Sequence, residues 1–545
     1  MGCAVSACVL ATPIAQAWAQ SAPPVVVAPP APMATPSPAA APAAPVKQAS
    51  LHVRCDGKPP QMSDIESFAR IMGALTLLSL FAPAPEQADA SKRLFGTAGV
   101  EACNQLIDAA AATREKNTLR RLPLILARAA HHIEAKQYQD ALADVALARA
   151  EAKAAGLTGN PYFDRSMGLS FDRFDSFARL RLGDGEGARA VSLSHLDGMA
   201  YSFLPVLTAQ DYGWMNDRMD ANEERAHAIR GRMLSTAVNL YANRLEDQGR
   251  FKDAAALREA WLNRLNSINS ESTRSWPLVT AAISHALAGD WDASKARALR
   301  ARAQLDKLDE EGKPDSERSN VIEALDFLDV LVLHHEGRVD EARRNFAARS
   351  QWDVSFGAVV QATDMLRRGA RPEQLFGALG KSGDELRQDM RRRAMARMLQ
   401  TDSNNRTLYT NILPYAQIDA YEKLSRPVWN TDKSRYIAEK PVRNSKFYFM
   451  SFPADPTIPV FVRPDALMLH AALLAKAKGF KGFQWGKSND VEGVALVMFG
   501  NAGDADMPAA MYIDADAVIA ELRQIIPSPD ELAARIKARE ATARK

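Results

Sequence analysis

The sequence predicts a mainly α fold, in which a solenoid of helical hairpins is followed by a small C-terminal α+β domain. Three observations lead to this prediction. A short joint recurs between helical patterns from residue 119 to residue 379, and the apolar residues before these joints fall on one helix face. After residue 440 the hydrophobic pattern changes to short, strand-like runs separated by turn residues.

The joint has the form Gly-x-bulky-x-x-small. A glycine adopts the left-handed backbone conformation that ends a helix, and a small residue lets the next helix pack closely on the first. The clear copies are Gly249 to Phe251 with Ala254, Gly289 to Trp291 with Ser294, and Gly337 to Val339 with Ala342. The weaker copies are Lys136 to Tyr138 with Ala141, and Gly183 to Gly185 with Ala188.

The segments before two joints carry an apolar stripe with i, i+4, i+7, i+11 spacing, which places all four members on one helix face. These stripes are Leu234, Val238, Tyr241 and Leu245, and Val321, Leu325, Leu328 and Val332.

The joint resembles the centre of the two-helix unit in the tetratricopeptide repeat family, where the pattern is Gly-x-Tyr-x-x-Ala. The family period is about 34 residues, whereas the joints here lie at longer and unequal intervals. Insertions between units explain this spacing, and so does a more general helical hairpin array. The resemblance implies a binding scaffold with no catalytic residues of its own.

The N-terminus has the features of an export signal. The first charged residue is Lys47, an apolar run extends from Cys3 to Ile14, and Ala17 to Ala19 form a signal-peptidase site. We therefore predict a signal peptide over 1–19. The basic region that should precede the apolar run is missing, so we expect an upstream start or an atypical signal. Alternatives are a lipobox that places a lipid anchor on Cys8, N-myristoylation after Met1, and no export.

Residues 20–50 are predicted to form a disordered linker, because nine prolines lie between Ser21 and Val46 among alanines and valines. Such spacers resemble those of exported bacterial proteins. We expect a periplasmic location or an association with the outer envelope.

Residues 51–118 are predicted to form a helical N-terminal cap on the array. One helix runs from Asp64 to Leu80, and a second, around Val100 to Ala112, carries Cys103. The apolar run of the first helix is about 11 residues, too short for a membrane span of about 20, so no transmembrane helix is predicted. Cys55 and Cys103 are predicted to form a structural disulfide in an oxidising compartment, the alternative being two unrelated buried thiols.

The array itself is assigned to residues 119–440. It includes an aromatic insertion over Gly198 to Met219, which is either a wall of a ligand groove or a helix-packing element; its aromatic residues are Tyr201, Phe203, Tyr212 and Trp214. A basic helix over Glu385 to Leu399 either docks an anionic surface or presents a solvated face. Its arginines are Arg387, Arg391, Arg392, Arg393 and Arg397. A further helix over Leu408 to Trp429 is predicted to close the array.

Residues 441–527 are predicted to form the α+β domain. Its strands are assigned to 446–452, 480–485, 493–499 and 509–513, and its helices to 464–478 and 514–525, the latter capped by Asp514 or Asp516. The segment with Ala471, Ala472, Gly479, Phe480 and Phe483 resembles small bacterial envelope lipoproteins of unknown function. A charged, fraying helix is expected over 528–545.

Motifs for catalysis and nucleotide binding are missing: the chain contains no Gly-x-Ser-x-Gly elbow, zinc-protease helix or Walker loop. Gly183 to Ala188 matches a dinucleotide fingerprint only formally, because no buried strand precedes it. The net charge of +3, with mixed signs throughout, does not indicate a nucleic-acid partner. We predict no catalytic residue and no cofactor.

Two histidine pairs lie just before joints: His131 and His132, and His334 and His335. One histidine of each pair could share a metal ion if the array curled. We prefer the interpretation that they end helices, where a cationic side chain suits the negative end of the helix dipole. No metal site is predicted.

These features lead to the hypothesis of a non-catalytic scaffold of the bacterial cell envelope that binds a protein partner, or an envelope component, in its groove. The alternative is an enzyme or enzyme subunit with a cleft between the array and the C-terminal domain. A third hypothesis is a structural protein of the outer membrane or wall, tethered through Cys8.

Overall fold

Helices form most of the described chain, as the sequence predicted. The computed structural model describes residues 49–60, 86–108, 114–210, 212–215, 218–234, 237–268, 275–313, 315–399, 405–416, 418–432, 437–452, 458, 460–489 and 493–543. The predicted signal peptide, Cys8, most of the linker and the predicted helix from Asp64 to Leu80 lie outside these residues.

The helices that precede the sheet are mostly between 6 and 20 residues long. They are Leu51–Asp56, Gly96–Ile107, Thr118–Glu134, Tyr138–Ala154, Pro161–Asp164, Met167–Arg181, Gly185–Leu193, Phe203–Thr208, Ala221–Met233, Ala237–Asp247, Phe251–Ile268, Ser275–Leu287, Trp291–Glu310, Arg318–His335, Val339–Ala347, Phe356–Arg367, Gly383–Leu399, Asn405–Thr410 and Ile418–Trp429.

All five predicted joints connect two helices that pack on each other. The joint glycines have φ values of 85° at Gly183, 71° at Gly249, 84° at Gly289 and 79° at Gly337. Lys136 takes the same left-handed conformation with φ 61°, although it is not glycine. The left-handed residue ends the first helix and reverses the chain, so each joint produces one helical hairpin.

The small residue of each joint is buried where the two helices meet. Ala141, Ala188, Ala254 and Ala342 are 0% exposed, and Ser294 is 2% exposed. A larger side chain at these positions would separate the helices. Hydrophobic cores then continue from one hairpin to the next.

The apolar stripes are largely buried, with one correction. Val238, Leu245, Val321 and Leu328 are at most 2% exposed. Leu234, however, caps the C-terminus of the preceding helix Ala221–Met233 and is not part of Ala237–Asp247.

A disulfide holds the N-terminal segment together, and an ion pair joins this segment to the array. Cys55 and Cys103 are bonded with an S–S distance of 2.07 Å, which links Leu51–Asp56 to Gly96–Ile107. The latter helix begins four residues before the predicted start at Val100 and ends at Ile107. Arg120 on the first array helix donates to the buried carboxylate of Asp56 at 2.6 Å.

The C-terminal sheet has five antiparallel strands in the order β1-β2-β4-β3-β5. The strands are β1 Ala438–Pro441, β2 Tyr448–Ser451, β3 Gly482–Asn489, β4 Val494–Gly500 and β5 Tyr512–Asp514. The helices that follow or cover it are Arg463–Ala477, Ala515–Leu522 and Pro529–Ala543. Asp514 caps the second of these, as one of the two predicted alternatives.

One core cluster includes side chains from both the array and the sheet. Phe203 and Met233 of the array belong to the same buried cluster as Phe483 and Ile513 of the sheet. This packing fixes the sheet against the aromatic insertion.

Two predictions about this region were wrong. Strand β1 was missed because its residues are largely exposed and lack hydrophobic alternation, and its Pro441 is a residue that sheets accept only at an edge. The single helix predicted from Leu408 to Trp429 is two helices. Pro414 disfavours helical backbone at Leu413, whose N–H donates instead to Ser170 Oγ at 2.9 Å.

Within the described part of the chain, no helix combines the length and the apolar character needed to cross a membrane.

Arg264 is buried without a carboxylate partner among the described residues. It is 3% exposed, its Nη1 lies 3.5 Å from Met511 Sδ, and its Nε has no described hydrogen-bond acceptor. Burial lowers its pKa to about 10. Arg258 on the same helix is equally buried but binds Glu246, Ser284 and Asn243.

The disulfide should make a large contribution to stability. Replacing both Cys55 and Cys103 with alanine is expected to lower the free energy of unfolding by roughly 4 kcal/mol, because the bond closes a loop of 48 residues. Urea denaturation without reductant measures this, and wild-type protein in reductant should behave like the variant. Equal stability of the oxidised wild type and the variant would contradict the prediction.

Replacing the two buried arginines should have opposite effects. Arg264→Met is expected to raise the free energy of unfolding, because removal of a desolvated charge outweighs the loss of its contact with the Trp261 ring, 5.4 Å away, which contributes about 0.5–2 kcal/mol. The control, Arg258→Met, should lower it by about 3–5 kcal/mol, because it leaves Glu246 buried and unpaired. Urea denaturation compares the two, and a large loss in both would mean that Arg264 has a partner.

Candidate functional site

A cavity of about 640 Å³ opens beside the joint at Gly249. Three helices surround it: Ala237–Asp247, Phe356–Arg367 and Gly383–Leu399. We call it the joint cavity. Its lining residues are Arg218, Met219, Glu246, Asp247, Gln248, Gly249, Arg250, Gly357, Gln361, Asp384, Arg387, Gln388 and Arg391.

Gly357 permits the close approach of two of these helices. A Cβ at this position would lie 2.4 Å from the backbone N of Asp247 and the backbone C of Glu246, so another side chain would push the helices apart. The backbone N–H of Gly357 also acts to lower the pKa of the Asp247 side chain. Gly357 therefore sets the distance between the walls of the joint cavity.

The floor of the joint cavity carries two consecutive carboxylates. Glu246 is 2% exposed and its Oε1 accepts from Arg258 Nε at 3.1 Å, while its Oε2 has no hydrogen-bond donor among the described residues. Burial, with a smaller contribution from the charge of Glu246, raises the pKa of Asp247 to about 7, although Arg244 and Arg387 act to lower it. Asp247 can therefore gain or lose a proton near neutral pH.

Arginines form much of the wall of the joint cavity. Arg387 and Arg391 come from the basic helix that the sequence singled out, and Arg218 comes from the end of the aromatic insertion. Arg250 belongs to the joint and pairs with Glu224 at 2.9 Å and Asp253 at 2.7 Å. Sequence reasoning found the basic helix but not its neighbours in space, because Arg218 and Arg387 are distant in the chain.

The aromatic insertion packs into the fold. Phe203 and Tyr212 are buried, and Tyr201 packs on the core cluster that includes the sheet. The side chain of Trp214 lies outside the described residues. These contacts favour the helix-packing interpretation over the ligand-groove interpretation.

The histidine pairs lie in the last turns of their helices, where they were predicted. His131 is fully buried and its Nε2 lies 2.8 Å from the carbonyl oxygen of Cys55, so it braces the disulfide. The ring of His335 stacks on Trp291 with centroids 4.0 Å apart. Within the described ranges, no group of three or more His, Cys, Asp or Glu side chains is arranged to hold a metal ion.

The junction between the array and the sheet contains buried titratable groups. Asp465 accepts from the backbone N–H of Phe203 at 2.7 Å, and Glu521 accepts from that of Tyr201 at 3.0 Å. Arg165 donates to Ser202 at 2.9 Å. Burial raises the pKa of Asp465 to about 7 and also raises the pKa of Glu521. These carboxyl groups tie the aromatic insertion to the C-terminal helices.

No protein-family model matches the chain, and no curated protein or solved structure was found to be similar to it.

Asp465→Asn should change the pH dependence of stability. Because the pKa of Asp465 is raised in the folded state, its protonated form favours folding at low pH, and this contribution is lost as pH rises from about 4 towards 7. The asparagine variant keeps the acceptor for Phe203 and should lose less stability over this range, by up to about 1.4 kcal/mol per pH unit.

Urea denaturation at pH 5, 6 and 7 measures this difference. The control is Asp306→Asn, an exposed position on Trp291–Glu310, which should follow the wild type. The prediction is wrong if Asp465→Asn follows the wild-type pH profile as well.

Proposed function

We propose that this protein is a non-catalytic helical-repeat scaffold of the bacterial cell envelope, of a kind similar to tetratricopeptide repeats, and that it binds a segment of a protein partner in the joint cavity. The observation that carries the proposal is the joint cavity itself. It lies between helices of the array, and its volume is within the range of about 300–1,000 Å³ that is typical of ligand sites.

The lining of the joint cavity suits binding through hydrogen bonds. Guanidinium groups donate to carboxylates and carbonyls, and the glutamine amides both donate and accept. The four arginines and three glutamines of the lining outnumber its three carboxylates, which are Glu246, Asp247 and Asp384. This composition supports a role in binding.

Two features of the N-terminal part of the chain support a location in the cell envelope. A disulfide is typical of an oxidising compartment outside the cytoplasm. The export signal and the proline-rich linker predicted from the sequence agree with this location. We therefore propose a location in the periplasm or at the outer envelope.

Site-specific photo-crosslinking in the native host tests the proposal. A photo-reactive phenylalanine analogue at Gln388, an exposed residue of the cavity wall, should form an adduct with one recurrent partner protein. The control position is Leu299, which is 68% exposed on Trp291–Glu310 and does not line the joint cavity. Adducts at Leu299 but not at Gln388 would contradict the proposal.

A further inference from the structure

The lining of the joint cavity carries more arginines than carboxylates. Its three carboxylates are Glu246, which is paired with Arg258, Asp247, and Asp384, which is 89% exposed. The wall carries four arginines, which are Arg218, Arg250, Arg387 and Arg391. Arg250 is paired with Glu224 and Asp253, so the remaining lining has three arginines and two carboxylates and keeps an excess of positive charge.

Arg387 and Arg391 are placed to act together. They are four residues apart on Gly383–Leu399, so they lie on the same helix face, and both are half-buried. Arg387 Nη1 lies 3.4 Å from Asp384 Oδ1, a long contact with an exposed carboxylate. A planar guanidinium can bind a carboxylate through two parallel hydrogen bonds, and a ligand carboxylate could take this place.

The glutamines that line the joint cavity indicate that the ligand with these carboxylates is a peptide. Gln361 and Gln388 line the wall on two different helices, and a side-chain amide can pair with a main-chain amide through both of its polar atoms. The cavity is also much larger than a single carboxylate requires.

We infer that the joint cavity binds an acidic peptide segment of the partner protein, whose carboxylates pair with Arg387 and Arg391. The inference rests on the proposed function and adds the chemical class of the ligand.

Asp247 links this binding to pH. The groups that face it are Glu246 and Arg244 on its own helix, Arg387 on Gly383–Leu399 and the N–H of Gly357. A ligand carboxylate brought into the cavity is a like charge, so it raises the pKa of Asp247 further and favours proton uptake. Binding is therefore tighter at pH 6 than at pH 8.

Fluorescence anisotropy with labelled peptides of equal length tests the ligand class. The full chain with its disulfide intact is titrated with a glutamate-rich, a glutamine-rich and a lysine-rich peptide at about 0.15 M salt, where distant charges are screened. The glutamate-rich peptide should bind most tightly. The double variant Arg387→Gln and Arg391→Gln should weaken its binding at least about tenfold, because charge-assisted hydrogen bonds are lost.

The matched control changes two other arginines of the same helix. Arg392→Gln with Arg393→Gln removes the same charge from exposed positions that do not line the joint cavity. It should leave the affinity within about threefold of the wild type. Equal losses in the two double variants, or equal affinities for the glutamate-rich and glutamine-rich peptides, would overturn the inference.

Asp247→Asn tests the proton link. Wild-type affinity for the glutamate-rich peptide should fall by up to about tenfold from pH 6 to pH 8, the limit for one proton. The asparagine variant should bind at pH 8 about as tightly as the wild type does at pH 6. A wild-type affinity that does not change with pH would overturn the link.

Failure of the inference and failure of the proposed function give different results. Gln361→Trp fills part of the joint cavity. If this variant abolishes binding of a peptide that shows no preference for acidic residues, the cavity binds peptides but the acidic class is wrong. If no peptide binds and position 388 gives no crosslink, the proposed function itself is wrong.

Discussion

The left-handed residue at each helix-pair joint is the constraint on which the array depends. A helix continues until a residue leaves the right-handed region, and at Gly249 and Gly289 the positive φ turns the chain back on itself. The small residue that follows lets the second helix lie close to the first. Lys136 shows that the geometry, rather than glycine itself, is required, although a side chain there carries a conformational cost.

Buried arginines add a second kind of contact to this packing. Arg128 pairs with Asp144 across the first hairpin, and Arg244 pairs with Glu223 on the preceding helix, each at 2.6 Å. Such pairs must recover a large desolvation cost, so their net contribution to stability is small. The pairs nevertheless form only when the helices pack in the correct register, because a helix shifted by one turn would leave a charge buried and unpaired. We suggest that they fix which helix packs on which.

The sequence predicted features that depend on neighbouring residues and missed those that depend on distant ones. The joints were found because each needs only a left-handed residue and a small residue a few positions later. The cysteine pair was found because Cys55 and Cys103 alone remain after the predicted signal. Strand β1 could not be found, since an exposed edge strand has no hydrophobic pattern. The joint cavity could not be found either, because Arg218 and Arg387 meet only through the packing of several hairpins.

The position of the joint cavity explains how packing sets its chemistry. Glu246 and Asp247 end the helix before the joint, so one faces the interior of the hairpin and the other lies beside Gly357. Arg258 and Ser284 hold Glu246 from inside the array. Its charge then adds to the burial that already raises the pKa of Asp247. The ion pair between Glu246 and Arg258 is part of the packing of the array, and the charge of Glu246 favours the protonated form of Asp247 near neutral pH. The joint at Gly249 places both carboxylates beside the basic helix Gly383–Leu399.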